Sequence, residues 1–583
     1  MKKNSYMIAL LPLLLFSCRD VNPSATEYEY STEIVAKKIE IVTNKSAYAP
    51  GENVEFNLKS LPAGAMVRYT YLGKTIDEQS VSSQTWTWTP PSEDFRGYMV
   101  TVYQKDQQNN EVVLATVGVD VSSDWKKFPR YGFLADFGNV ADAKMSQVIQ
   151  NLNKYHINGI QFYDWHYRHH QPLAGTVEQP ATQWNDIANR TIYKNTVEQY
   201  IKLAHDYNMK AMFYNLNYGV VEDYDKSKLP SSIFLYEDKA ATKINQFTLS
   251  SPFIGNILFV DPANKTWLDF MKTQTADVYK VYDFDGFHID QVGDRGTVYN
   301  SKGEQVNLKK AFPEFIEAMK QQNPDKYLAF NAVTQFGAEE MAQSSIDFLY
   351  SEVWAPHDGF KDIADILKNN YEYSGRSKNS VLAAYMNYDK AENKGQFNTP
   401  GVLLTNAVIF AFGGSHIELG EHMLGKEYFP NNNLTMTGEL QENLIEYYDF
   451  LTAYQNILRD GGQFNSVRVT SGDGKMNLSA WPPTVGKVAT VGKKVGDKQV
   501  VHFINFSKAN SLNWRDKDGT MPEANSIISS MVNVEHTGKV NKVWYASPDY
   551  KDGSAIELPF TQSGSKINIK LPQLKYWGML VIE

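Results

Sequence analysis

A chain of 583 residues with a formal net charge of −9 excludes nucleic acid and anionic membrane surface as its main partner, because both are held by clustered Lys and Arg. Its 42% hydrophobic content excludes a disordered chain and suffices for the three or four domain-sized cores that the length implies. One cysteine, Cys18, leaves no pair for a disulfide within the chain, so packing has to hold those cores.

Lys2 and Lys3 precede an apolar run, Met7–Phe16, that is too short to span a membrane. It leads to Leu15-Phe16-Ser17-Cys18, so residues 1–18 read as a signal peptide whose end resembles a bacterial lipobox, the Cys becoming acylated and the new N-terminus. An ordinary secretory signal with an incidental Cys is the alternative. The lipobox reading places the protein outside the cytoplasm, bound to a bacterial membrane by its lipid only. Residues 19–33 are polar and aperiodic, as a tether would be. From 34 to 122 the chain runs in short alternating segments (KKIEIVT, NVEFNLKS, MVRYTYLG, SQTWTWTP, GYMVTVYQ, EVVLATVGVDV) parted by turn signals. About seven such strands describe a small antiparallel β-sandwich, with Trp86 and Trp88 on one face as core.

From 123 to 461 strands alternate with helices. Eight strands are expected at 131–137, 158–165, 210–219, 286–293, 327–333, 348–354, 381–388 and 413–420. Helical patterns lie between them at 141–155, 193–207, 265–282, 308–322, 359–370 and 401–412, and a long one follows at 437–458. Eight strand–helix units predict a parallel sheet with right-handed crossovers, closed as a (β/α)8 TIM barrel. An open doubly wound sheet is the alternative, but neither a G-x-G-x-x-G nor a G-x-x-x-x-G-K-[ST] is present, and no cofactor is expected. Residues 462–583 alternate again and read as a C-terminal antiparallel β-sandwich. The fold class is therefore multidomain, a barrel flanked by two β domains.

Every predicted barrel strand carries a polar group near its C-terminal end, where barrel side chains face the loops. In order they are Asp136; Asp164, Trp165 and His166; Asn215 and Asn217 with Tyr218; Asp290; Asn331; Glu352; Tyr385 and Asn387; His416 and Glu418. Asp290 alone reads equally as a catalytic acid or a loop tie, but a full ring of such groups points to a polar pocket. Acids, amides and aromatics together suit a sugar ligand. Cleaving a glycosidic bond needs one carboxylate to attack or to activate water, and one carboxylic acid to protonate the leaving oxygen. Asp290 and Glu352 lie two strands apart and can approach across the mouth. Glu352 is expected to be the acid, raised by apolar surroundings from Val353 and Trp354 and by the charge of Asp290.

The segments DGFHIDQVGD at 285–294, FYDWHYRHHQPL at 162–173 and SEVW at 351–354 resemble landmarks of the dextranase family, glycoside hydrolase family 66. α-Amylase-type enzymes share a similar D-G-F-R-x-D, but this chain has His288 where their Arg stands and Asn331 where their acid follows strand five. The resemblance implies Asp290 as nucleophile and Glu352 as acid/base, an immunoglobulin-like N-terminal and a Greek-key C-terminal domain, and retaining endo-hydrolysis of the α-1,6 bonds of dextran and isomaltooligosaccharides. The family also holds enzymes that cyclise isomaltooligosaccharides. These typically carry an extra carbohydrate-binding module in the barrel region, for which no connection here is long enough.

The expected substrate contacts are Asp164, Trp165, His166, Asn215, Asn217, Tyr218, Asn331, Trp354, Tyr385, Asn387 and Glu418. Arg168 and His170 suit sugar contacts or structural roles equally, and Glu418 and Glu421 suit sugar or a loop ion pair. The His-rich run at 166–170 has no zinc-type spacing, so no metal is expected. Asp285 reads as ordering a strand start, and Asp294 as supporting the loop after Asp290. Two other functions stay open: a retaining α-glycosidase of another linkage, and a glycan-binding lipoprotein without catalysis.

Overall fold

The computed structural model describes Tyr30 and residues 38–583; Cys18, the signal-like stretch and most of the expected tether lie outside the described residues. Eight parallel strands form the central sheet: β1 Tyr131–Leu134, β2 Gly159–Phe162, β3 Lys210–Leu216, β4 Gly286–Asp290, β5 Tyr327–Asn331, β6 Phe348–Glu352, β7 Ser380–Ala383 and β8 Ser415–His416. Their spatial order is their chain order, without the reversal that a doubly wound sheet requires. The barrel is nearly closed, and past β8 the carbonyl of Leu419 accepts from the amide of Phe133 in β1 at 3.0 Å.

The helices follow the expected alternation: α1 Asp142–Lys154, α2 Lys194–Asp206, α3 Lys265–Val281, α4 Leu308–Gln322, α5 Ala338–Ala342, α6 Phe360–Tyr373, α7 Thr399–Ala411 and α8 Gly438–Ala453. Each surface helix buries one stripe against the strands. α7 differs: from Gly401 to Ala411 every residue is buried, because it is covered both by the barrel and by the strand Lys498–Asn505 of the C-terminal domain. The five-residue α5 is too short to leave a periodic signature, and the sequence reading holds no helix there.

Side chains alternate strictly between the barrel interior and the helix layer. The register pairs Tyr214 with His288, His288 with Ala329 and Ala329 with Phe348, so these four face inward together. The interior is aromatic: Tyr131, Phe133, Phe348 and Tyr350 fill the lower barrel, and the His288 ring stacks on Tyr131 at 5.8 Å. Phe213 and Phe287, of opposite parity, stack at 4.5 Å under the helices. At its start β4 is tied by Asp285, which accepts from His205 and from the Ala211 amide, both at 2.8 Å.

Before the barrel lie a three-stranded sheet (Ile41–Thr43, Val54–Leu58, Thr85–Trp88) and a four-stranded one ordered Lys74–Ser80, Met66–Tyr71, Arg96–Lys105, Glu111–Val121. Lys74–Ser80 is exposed at every residue and has no apolar alternation, so it carries no strand signal in the sequence. Trp86 and Trp88 stack on Phe56 and Tyr69 in this domain's core. The four-stranded sheet presses on α8, and the contact is made by backbone. A Cβ at Gly97 would lie 2.1 Å from the Thr452 carbonyl oxygen, and one at Gly118 2.7 Å from that of Asp449. Two further sheets of seven and four strands form the C-terminal domain. Among the described residues no helix is long and apolar enough to cross a membrane.

Candidate active site

β4, β5 and β6 end side by side, and their last inward residues are Asp290, Asn331 and Glu352. The Asn331 amide nitrogen donates to Asp290 Oδ1 at 2.8 Å and to Glu352 Oε2 at 2.9 Å. Its Oδ1 accepts from the Glu352 backbone amide at 3.2 Å, which fixes the amide's orientation. Each acid has a tyrosine of its own. Tyr214 on β3 donates to Asp290 Oδ2 at 2.6 Å, and Tyr385 beyond β7 donates to Glu352 Oε1 at 2.9 Å. Among the described residues neither carboxylate forms an ion pair.

Both acids are partly exposed at the barrel mouth, yet burial is the largest influence on each and raises both above the ordinary carboxylate range. For Asp290 this is opposed by Tyr214, Asn331 and the Gln291 amide, three donors that favour the anion. Glu352 feels the Asp290 charge in addition and is pushed up to about 7. One proton shared by the pair therefore resides on Glu352, leaving an acid beside an anion. Below them His288 has no cation to offer, since burial among aromatic rings holds it down to about 3.

Of the expected substrate contacts, four stay at the mouth. Asp164, at φ +47° and 3% exposed, is raised to about 7 by burial, with Arg190 opposing. The His166 ring lies 6.0 Å from that of Tyr214, and among the described residues neither of its nitrogens meets a hydrogen-bond partner. Trp354 packs against Tyr385 at 5.5 Å, half-buried. Tyr385 bonds Glu352.

Asn331 stays at the site as well; the other six are placed elsewhere, and for Asn215 and Glu418 parity is the reason. Trp165 points into the helix layer, fully buried among Trp184, Phe213, Tyr282 and Phe284. Asn215 also faces outward and latches the His-rich loop, accepting from His169 Nδ1 and donating to the His169 carbonyl. Asn217 is wholly buried, its backbone amide on the Asp290 carbonyl, and Tyr218 stacks on Phe259 in the core. Asn387 donates to Asp516 of the C-terminal domain. Glu418 is enclosed by Asn406, Tyr448 and His416 behind the barrel wall. Asn331 is at the site, but its amide is spent on the two acids rather than left for a ligand. Asp136 and Glu421 tie the end of β1, Glu421 accepting from the Ala135 and Asp136 amides. Arg168 pairs with Asp223, His170 accepts from the Val221 amide, and Asp294 accepts from the Gly296 amide in the loop after Asp290.

Three site residues are absent from the sequence reading. Tyr214 was within reach: in a parallel ladder inward residues pair with inward residues, so the parity of Asp290 selects Tyr214 over Asn215 once register is known. Tyr163, stacked on Phe429 at 4.3 Å and 5.0 Å from the Tyr214 ring, follows by the same rule on β2. Arg190, paired with Asp186 near Asp164, comes from a long loop whose path has no periodic signal.

The shared proton gives a direct expectation. In Asp290→Asn the Glu352 pKa should fall from about 7 toward its usual value, because the neighbouring charge is gone. Carbon-13 NMR titration of the Glu carboxyls reads this, and an unmoved Glu352 would show that burial alone raises it.

A family model for Glycosyl hydrolase family 66 matches residues 43–581. A cycloisomaltooligosaccharide glucanotransferase of Niallia circulans is 26% identical over 712 aligned residues, spanning 93% of this chain and 71% of that protein. A dextranase of Streptococcus salivarius is 24% identical over 563 residues, spanning 84% of this chain and 67% of that protein. Among solved structures, a Paenibacillus sp. cycloisomaltooligosaccharide glucanotransferase complexed with cycloisomaltoheptaose superposes with a TM-score of 0.84 at 25% identity, covering 94% of this chain and 99% of that one. With its family's model matched along nearly the whole described chain, this protein is a member of Glycosyl hydrolase family 66.

Proposed function

We propose that the enzyme is an endo-dextranase that cleaves α-1,6-glucosidic bonds with retention, by double displacement. The observation that carries this is the single Asn331 amide shared by Asp290 and Glu352. The two oxygens it bridges cannot be farther apart than hydrogen bonds of 2.8 and 2.9 Å laid end to end. The bound applies to the two bridged oxygens; it sets the carboxylates close together, which suits the roughly 5–5.5 Å between the carboxyl groups of retaining glycosidases better than the roughly 6.5–9.5 Å of inverting ones.

In the first step Glu352 gives its proton to the glycosidic oxygen while the Asp290 carboxylate attacks the anomeric carbon from the opposite face. The C–O bond breaks, the leaving sugar departs as an alcohol, and a glycosyl ester forms on Asp290. In the second step Glu352, now ionised, takes a proton from water, whose oxygen attacks the anomeric carbon and releases Asp290. In this reading Asp164, His166 and Trp354, at the mouth beside the pair, hold the sugar.

The second reading is a glucanotransferase, in which a sugar hydroxyl replaces water in the second step; the glucanotransferase relatives support it. Hydrolysis is preferred because no barrel connection of this chain, the longest running from β3 to β4 with α3 inside it, is long enough for the extra carbohydrate-binding module expected of the cyclising enzymes. The signal-like stretch ending at Cys18 fits an exported, lipid-anchored enzyme working on an external polymer. Loss of membrane-fraction retention in Cys18→Ser checks it, and retention unchanged in that variant would remove the anchor.

Incubation with dextran, starch and pullulan should give linear reducing products from dextran, and Glu352→Gln should lower that rate by about 10²–10⁴-fold. Cyclic products would select the transferase, cleavage of starch or pullulan alone another linkage, and no release from any α-glucan would leave only glycan binding. Azide should restore turnover to Asp290→Ala and yield a β-glycosyl azide, whereas an α-azide would contradict Asp290 as the nucleophile.

A further inference from the structure

The C-terminal domain does not stay clear of the active site. Between its strands Lys498–Asn505 and Ile527–Glu535 runs a long connection, residues 506–526, that reaches into the loops after β6 and β7. Connections of this length without structure of their own are uncommon and usually functional. Leu512 accepts from the Phe360 amide at 3.0 Å, Trp514 donates its indole N–H to the His357 carbonyl at 2.7 Å, and the Arg515 carbonyl accepts from the Asn387 amide at 2.9 Å. Asp516 accepts from the side chain of Asn398 at 2.7 Å and from that of Asn387 at 3.2 Å.

Arg515, 2% exposed, is the residue of this loop that points to the catalytic pair. One guanidinium nitrogen, Nη2, donates to the Val353 carbonyl at 2.6 Å, and Nη1 donates to the Tyr385 carbonyl at 3.3 Å. Val353 directly follows Glu352, and Tyr385 is the residue whose hydroxyl bonds Glu352. The same guanidinium lies over the rings of Trp354 at 4.8 Å, Tyr388 at 5.3 Å and Trp514 at 4.5 Å. Among the described residues it forms no ion pair, and Glu352 is one of the anions whose field supports its charge. Burying a cation outside an ion pair is costly, and here two carbonyls and three aromatic faces offset that cost. The planar fork of Arg can bridge two carbonyls and stack on aromatic faces at once, which Lys cannot.

We propose that Arg515 is a positioning residue for Glu352: it clamps the chain just after the acid and the chain that carries the acid's tyrosine partner, so the C-terminal domain completes the active site. The inference rests on the reading of Glu352 as the acid. A misplacement of the order of 1 Å can cost about 10²-fold in rate. The cost should fall on proton delivery, because Asp290, Tyr214 and Asn331 are not touched by the loop.

Two substrates separate this from a general structural role. Dextran needs its leaving oxygen protonated. With α-isomaltosyl fluoride, Asp290 attacks the anomeric carbon and the C–F bond breaks with departure of fluoride, which needs little acid help. In Arg515→Ala, kcat/KM on dextran should fall by about 10²-fold, while kcat/KM on the fluoride falls far less. The basic limb of the dextran pH profile should move to higher pH, since the Tyr385 bond that lowers the Glu352 pKa is loosened. Arg515→Lys, which keeps the charge but not the fork, should show the same split and stands in if the alanine variant does not fold. Equal losses on both substrates in a folded variant, with an unmoved limb, would overturn the inference. A wild-type enzyme inactive on both would overturn the reading of the two carboxylates, and this inference with it.

Discussion

Two carboxylates held against one neutral amide, neither of them in an ion pair among the described residues, set the terms for everything around them. Two anions about 5 Å apart repel by roughly 3 kcal/mol at a protein's effective dielectric of about 20. That is at least as large as the roughly 1.5–3 kcal/mol of one hydrogen bond to a charged group. The pair therefore keeps a proton, and the surroundings decide which member has it. Three donors on Asp290 favour its anion, and Glu352, with that anion beside it, keeps the proton. An arginine in place of His288 would have supplied a positive charge beneath Asp290 and weakened this asymmetry. The neutral, stacked imidazole preserves it.

The barrel is legible in the sequence because each strand is a short apolar run followed by an amphipathic helix, and eight such units leave little topological freedom. The pair Asp290 and Glu352 is legible for a related reason: both close an apolar strand and both precede a loop. What sequence does not carry is the side on which a residue near a strand end emerges. Asn215 and Glu418 look as suitable as Tyr214, yet a shift of one position turns a pocket residue into a wall residue. Asn387 and Trp165 show a second limit, since each follows a strand where the backbone has left the ladder, and each is claimed by a partner far along the chain. Lys74–Ser80 and α5 were hidden for simpler causes, an exposed strand without alternation and a helix of little more than one turn.

The flanking domains are bound to the barrel in ways that matter to the site to different degrees. On the N-terminal side the contact is backbone against backbone, with Gly97 and Gly118 letting α8 approach the sheet and Asp449 bonding both the Gly118 amide and His156. These residues lie far from the mouth in sequence and in the fold, and their work is to hold the outer wall. On the C-terminal side the contact reaches the loops that follow Glu352 and Tyr385, so that domain and chemistry are joined through Arg515 and its neighbours. Separation of the chain into a catalytic barrel and two accessory domains is therefore true of the cores but not of the active site.

Asp290 and Glu352, bridged by Asn331, are proposed to cleave an α-glucosidic bond in two displacements. The most direct measurement is proton NMR of the anomeric signals during the first minutes of hydrolysis of a reduced isomaltooligosaccharide, before mutarotation. With double displacement the α-anomer of the new reducing end appears first and the β-anomer only later. A β-anomer formed first would mean a single displacement by water and would contradict the assignment of Asp290 as nucleophile.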